Sequence, residues 1–187
     1  MNFLAGIFGN SKKQLGKVAA HLIPRLQEVR ERWTEYCVAL LNEMGVSPAR
    51  TILSEDGLAC VAAFQYFMFT QLAHEKKYIK TAKREEFFNL IANMIIHENN
   101  IARDAFISKL KSFDETTETS QLIFILAECV AKDLVGKEAV LGESVALSSN
   151  VNLLIVMTKM ISAESFRDFK TAKEFENIYD TMFNPNT

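Results

Sequence analysis

A chain of 187 residues, 49% of them hydrophobic and 24% charged, is long enough to bury one substantial core and too apolar to be disordered. Its net charge is −2, and residues 114–187 contain twelve Asp and Glu against six Lys and Arg. This balance excludes a general nucleic-acid-binding protein, because phosphate contacts require a surplus of positive charge.

The first quarter of the chain has a helical hydrophobic pattern. Apolar residues recur there at steps of three and four, which predicts one continuous apolar helix face. We place a helix over residues 11–23, with Asn10 or Ser11 as its cap. Pro24 then either begins a second helix or kinks one long helix. Gly45 is expected to end that helix in the left-handed conformation.

The next segment predicts a central helix. Ser47-Pro48 is typical of a helix start, and Asp56-Gly57 is typical of a turn. Residues 58–73 are apolar on nearly all sides, which is typical of a helix enclosed by the others. The run is shorter than the ~20 residues that a membrane span needs. We therefore expect a buried helix here rather than a membrane span.

Residues 83–113 follow with an amphipathic pattern, and Asn99-Asn100 is expected to mark a break or bend within it. The polar run 114–120 predicts an interhelical loop, from which Thr117 or Thr119 would cap the next helix.

The last third predicts three further helices. One spans residues 121–135 and ends near Gly136. Residues 142–150 are rich in Gly, Ser and Asn and predict a loop. An apolar helix over residues 151–161 and a final helix over residues 162–183 complete the chain.

Only seven glycines and three prolines are present, too few for the turns of an all-β fold. The sequence therefore predicts an all-α fold with a single domain over residues 1–187. We expect a bundle of about six to eight helices with one or two enclosed central helices. Residues 1–10 form an apolar segment that would dock onto the bundle, a partner or a membrane.

No catalytic or metal-binding motif stands out. The three cysteines are Cys37, Cys60 and Cys129. They lie far apart in apolar surroundings, which predicts buried free thiols of a reducing compartment and hence a cytoplasmic protein. No close Cys pair offers a zinc site, and no His has the Glu three positions earlier that a di-iron bundle requires. We expect no metal, no cofactor and no enzymatic activity.

Two features favour a protein partner. An apolar patch near the N-terminus consists of Phe3, Leu4, Ile7 and Phe8. A cationic segment consists of Lys76, Lys77, Lys80, Lys83 and Arg84. The patch would dock into a groove, and four of the cations would share one helix face toward an acidic contact. The same apolar patch, followed by lysines, is also typical of peripheral attachment to a membrane surface.

The sequence thus favours a non-enzymatic interaction or adaptor protein that binds a protein partner or a second copy of itself through an amphipathic helical surface. One alternative is a binding module for an apolar small molecule or lipid, with Tyr66, Phe67 and Gln71 lining the pocket. Another is a helical enzyme or haem protein with His97 as a ligand.

Overall fold

The computed structural model describes residues 3–75, 81–116, 118–136 and 141–165; the side chains of residues 3–17, 75, 81–84, 141 and 164 lie outside this description. Within these ranges the chain forms six helices and no strand, which confirms the all-α prediction and the expected number of helices. They are α1 (Phe3–Glu43), α2 (Glu55–Glu75), α3 (Thr81–Glu98), α4 (Arg103–Asp114), α5 (Thr119–Val135) and α6 (Leu141–Ser165). Buried apolar residues from all six form one core cluster.

Helix α1 is continuous through Pro24 and begins at Phe3, so the predicted start at Ser11 was wrong. The buried residues of α1 lie on one stripe before and after the proline, and Pro24 itself is exposed. Packing of that stripe outweighs the hydrogen bond that the proline cannot make. The predicted end is confirmed, because Gly45 has a φ of 76°. The Val46 N–H donates to the Leu41 oxygen at 2.9 Å, as in a Schellman motif.

The segment between α1 and α2 is not helical, so the helix start predicted at Ser47-Pro48 was wrong. The Ala49 N–H instead donates to the Leu134 oxygen at the end of α5, at 2.8 Å. The turn predicted at Asp56-Gly57 was also wrong, because both residues lie in the first turn of α2. The residue before that turn, Ser54, donates its N–H to Asp133 Oδ2 at 2.8 Å. A side chain of α5 therefore fixes where α2 begins.

Helix α2 is the enclosed central helix that the sequence predicts. Every residue from 59 to 69 is buried, and α2 packs against each of the other five helices. The predicted break at Asn99-Asn100 is also confirmed. Asn100 has a φ of 50°, and the Ile101 N–H donates to the Ile96 oxygen at 3.0 Å, which ends α3.

Helix α5 ends as predicted, since Gly136 has a φ of 76°. Its N-terminal cap was predicted wrongly: Glu118 occupies the cap position without a side-chain hydrogen bond, Thr119 is already helical, and Thr117 lies outside the described residues.

The loop predicted over residues 142–150 was wrong, because α6 runs through it. The hydroxyl groups of Ser148 and Ser149 donate to carbonyl oxygens three residues earlier, so the serines are satisfied within the helix. Leu147 and Val151 are fully buried and anchor this part of α6 to the core. The helix predicted over 162–183 begins inside α6, and its part beyond Ser165 lies outside the described residues.

One stretch of the described chain, Gly142–Ala163 in α6, is long and apolar enough to cross a membrane by length and composition, and 39% of it is buried in the bundle. Soluble core helices meet the same two criteria, and α6 packs against α1, α2 and α5.

Candidate functional site

The predicted partner-binding residues fall mostly outside the described side chains. Phe3, Leu4, Ile7 and Phe8 lie on the first turns of α1, where only the helical backbone is described. Lys83 and Arg84 lie in the first turn of α3 in the same way, and Lys76, Lys77 and Lys80 are outside the described residues. Both surfaces therefore stay predictions.

The residues predicted to line an apolar pocket lie apart. Tyr66 and Phe67 are buried in the core, where their rings contact Phe106 and Phe113 with centroid distances of 5.7 Å and 6.3 Å. The Tyr66 hydroxyl donates to the Phe88 oxygen at 3.3 Å, and burial raises the pKa of Tyr66 to about 12. Gln71, by contrast, is exposed. Neither ring lines the two cavities described below.

A cleft of about 660 Å³ opens between α1, the segment before α2, and the connection between α3 and α4. We call it the Arg30 cleft. It is lined by Gln27, Arg30, Glu31, Thr34, Glu35, Thr51, Ile52, Leu53, Leu58, Glu98, Asn99 and Asn100. Its walls thus come from three separate parts of the sequence, which only the tertiary fold brings together.

Arg30 is the central residue of this cleft and is only 3% exposed. Its Nη1 donates to Gln65 Oε1 at 3.0 Å, and its Nη2 donates to Asn99 Oδ1. Both amides are held in that orientation, because their NH₂ groups donate to the Leu26 and Ile95 oxygens at 3.0 Å and 2.8 Å. Arg30 therefore joins α1 to α2 and to the end of α3.

The environment of Arg30 is unusual for a buried cation. Its Nε is buried without a hydrogen-bond partner, and among the described residues no carboxylate lies within ion-pair distance of its guanidinium. Burial lowers the pKa of Arg30 to about 10, partly offset by the charge of Glu31. The group stays charged at neutral pH. Such an arrangement lowers stability, since a buried charge is usually paired with an opposite one.

The rim of the Arg30 cleft is acidic and partly apolar. Glu31, Glu35 and Glu98 are exposed around it, and Gln27 donates to Glu31 Oε1 at 2.9 Å. Ile52 is 76% exposed at the same rim, the largest exposed fraction of any described bulky apolar side chain. The cleft therefore offers negative charge beside an apolar contact surface.

Sequence reasoning missed this cleft, although a signal was present. Arg30 follows Leu26 by four residues and precedes Trp33 by three, so it occupies the apolar face of α1. A charged residue at such a position is informative, because it requires buried polar partners. Gln65 supplies one of them from the otherwise apolar α2.

The cysteines follow the prediction only in part. All three are free, and Cys37 and Cys60 are buried, but Cys129 is half-buried. Burial raises the pKa of the Cys37 thiol, as expected for an inert core cysteine. No group of three or more His, Cys, Asp or Glu side chains is arranged to hold a metal ion in the described part of the chain.

Comparisons with protein-family models, with curated proteins and with solved structures give no match to this chain.

Proposed function

We propose that this protein is an interaction protein that binds a basic segment of a partner protein in the Arg30 cleft. The observation behind the proposal is the juxtaposition of three exposed glutamates with an exposed apolar side chain at one cleft built from three parts of the chain. The sequence predicts an amphipathic helical contact surface without identifying the helix, and the proposal puts that surface at the Arg30 cleft rather than at the predicted residues.

The charge of the rim determines the chemistry of the partner. Glu31 and Glu35 lie one turn apart on α1, and Glu98 faces them from the end of α3. Lysine or arginine side chains of a bound segment would pair with these carboxylates, whereas an acidic segment would be repelled.

Ile52 and its neighbours provide the apolar anchor. Ile52 is exposed, while Leu53 and Leu58 line the same cleft and are half-buried. Covering such a group with one apolar side chain of the partner removes hydrophobic surface from water on both sides. Anchors of this kind contribute most of the binding energy of an interface.

Arg30 has a positioning role in this proposal. Its two hydrogen bonds hold Gln65 of α2 and Asn99 of the α3–α4 connection at fixed distances from α1. The cleft walls are thus fixed before binding, which limits the conformational entropy that the partner must overcome.

Site-specific photo-crosslinking tests the proposal. p-Benzoylphenylalanine replaces Ile52 in one variant and Val145 in the control; Val145 is 53% exposed but lies on α6. After irradiation in cells, we expect position 52 to crosslink to one partner through a segment containing lysine or arginine. Equal yields from both positions, or a crosslinked segment that is acidic, would contradict the proposal.

Charge reversal provides the second arm of that experiment. The variant E31K/E35K should bind the crosslinked segment, prepared as a peptide, roughly tenfold or more weakly, because two favourable rim contacts become repulsive. The control is E43K, an exposed glutamate on the same helix that does not line the cleft. Circular dichroism verifies that both variants remain folded, and unchanged affinity in E31K/E35K would overturn the assignment of the cleft.

A further inference from the structure

The fold brings together two cysteines that are far apart in the sequence. Cys60 lies on α2 and Cys129 on α5, and their thiols are close enough for each to shift the pKa of the other. Both are free thiols. They differ in access, because Cys60 is 1% exposed whereas Cys129 is half-buried. The pair therefore has an outer thiol and an inner thiol.

Lys109 of α4 completes the cluster. Its Nζ donates to Asp56 Oδ2 at 2.9 Å and lies 3.9 Å from Cys129 Sγ. Burial opposes the charge of Lys109, but the hydrogen bond to Asp56 and the two nearby thiols raise the pKa of Lys109 overall. Lys109 is therefore an ammonium group next to the outer sulfur.

The pKa values of the two thiols are shifted in opposite directions. The interaction with Cys60 lowers the pKa of Cys129, and Lys109 adds to this effect against burial and the charges of Asp56 and Asp133. The same interaction, together with burial, raises the pKa of Cys60. Cys129 is thus the thiol that ionises first, and the thiolate is the reactive form of cysteine.

Cys129 faces a cavity of about 410 Å³ on the surface of the bundle. The cavity is lined by Asp56, Lys109, Ile125, Glu128, Cys129, Lys132 and Asp133. Three carboxylates against two ammonium groups make its formal charge negative. A small neutral reagent can approach Cys129 there, whereas an anionic oxidant such as glutathione disulfide is repelled.

We propose that Cys129 is a site of reversible oxidation by small neutral hydroperoxides, with Cys60 as the resolving thiol. This site shares no residue with the Arg30 cleft, so it stands or fails independently of the proposed function.

The chemistry takes two balanced steps. The Cys129 thiolate attacks one oxygen of hydrogen peroxide, the O–O bond breaks, and the departing hydroxide takes a proton from solvent to become water. Cys129 is oxidised to the sulfenic acid and the peroxide is reduced. The Cys60 sulfur then attacks the Cys129 sulfur, the S–O bond breaks, and the hydroxide leaves as water with the Cys60 proton. The product is a Cys60–Cys129 disulfide, which an added dithiol reduces.

Intact-mass spectrometry of the full chain tests both steps. With a small excess of hydrogen peroxide, the wild-type protein should lose two hydrogens, and dithiothreitol should restore them. C60S should instead accumulate a sulfenic acid that dimedone traps, and C129S should show neither product. The matched control is C37S, which removes the third, fully buried thiol and should behave as wild type. A disulfide that forms without Cys129, or no oxidation of the wild type, would overturn the proposal.

Alkylation rates test the roles of Lys109 and of the cavity charge without any cysteine variant. Peptide mapping after iodoacetamide treatment should show Cys129 labelled first, with Cys37 and Cys60 protected. For each unit by which the Cys129 pKa rises, the thiolate fraction falls about tenfold, but the remaining thiolate becomes more nucleophilic. The labelling rate of Cys129 therefore falls roughly threefold per unit. K109M should therefore slow labelling of Cys129 roughly threefold or more and shift its pH profile upward.

The control for that variant is K132M, which removes the other ammonium group of the cavity. Lys132 pairs with Glu128 at 3.0 Å, so K132M should leave the rate nearly unchanged. Equal effects of the two substitutions, labelling of Cys37 as fast as Cys129, or faster oxidation by glutathione disulfide than by hydrogen peroxide would each contradict the proposal.

Discussion

Single buried polar side chains decide much of the local structure of this protein. Asp133 of α5 accepts hydrogen bonds from both the N–H and the hydroxyl of Ser54, immediately before α2. The Ser54 oxygen in turn accepts the Gly57 N–H at 3.4 Å, as an N-cap residue does. This chain of contacts sets the first residue of the central helix, and no local sequence pattern reports it because Asp133 is distant in the chain.

Gly57 is required by this arrangement, which gives the first prediction. A Cβ at this position would lie 2.6 Å from the Asp133 Cγ, so the carboxylate would have to move away from Ser54. We expect Gly57→Ala to lower the free energy of unfolding by about 1–3 kcal/mol in urea denaturation.

The control is Gly142→Ala, near the start of α6, where nothing lies within 4 Å of the added methyl group. Alanine is a better helix former than glycine, so this variant should be unchanged or more stable by up to about 1 kcal/mol. A stability loss in Gly142→Ala as large as that in Gly57→Ala would contradict the argument from the Asp133 contact.

At the scale of whole elements, the breaks set by backbone conformation were predictable and those set by packing were not. Gly45, Asn100 and Gly136 all adopt positive φ and end helices where the sequence predicts. At Pro24 the structure forms one continuous helix, in agreement with the one-long-helix alternative, whereas the loop predicted over residues 142–150 was wrong. In both places a helix-disfavouring composition lies inside a continuous buried stripe. Burial of several large side chains outweighs the propensity of one proline or a few serines.

Helix α1 allows a test of that balance. Pro24 lies in the interior of the α1 sequence, but its side chain is exposed to solvent. Pro24→Ala therefore changes few contacts, restores a backbone N–H donor and removes the clash of the proline ring with the preceding helical turn. Alanine is favoured over proline by about 3 kcal/mol in a helix interior. The substitution also increases the conformational entropy of the unfolded chain, which offsets up to about 1 kcal/mol of that gain. We therefore expect the free energy of unfolding to rise by about 2 kcal/mol.

Ala39→Gly provides the internal reference, since Ala39 is exposed on the same helix and its replacement should lower stability by about 1 kcal/mol. A destabilising Pro24→Ala would contradict this balance, because it would show that contacts of the proline ring outweigh its cost in the helix.

At the scale of the whole molecule, the single core joins the first helix to the last one described. Trp33 of α1 is fully buried, and its Nε1–H donates to the backbone carbonyl oxygen of Asn150 in α6 at 3.0 Å. Trp33 is also the only tryptophan in the chain. Its fluorescence therefore reports on the packing of α1 against α6.

One shared core predicts cooperative unfolding. We expect the urea transitions followed by Trp33 fluorescence and by helical circular dichroism to coincide, with a free energy of unfolding of about 5–15 kcal/mol. Fluorescence that changes at a lower urea concentration than helicity would show that α1 and α6 separate before the rest unfolds, and would contradict a single cooperative unit.

The sequence by itself determined the helical class, the enclosed α2 and the breaks at Gly45, Asn99-Asn100 and Gly136. Hydrophobic periodicity and the residues that favour positive φ depend only on neighbouring positions in the sequence, so both can be identified from the sequence of a single chain. The sequence also shows polar residues on buried helix faces, but it does not identify the residues that they contact.

Only the tertiary structure decided the rest. It placed Arg30 between Gln65 and Asn99, which are 35 and 69 residues away from it, and it brought Cys129 to Cys60 and Lys109. Such long-range contacts depend on how the helices pack, and that packing is determined by all the side chains of the core together. The proposed cleft and the proposed thiol site are both products of that packing.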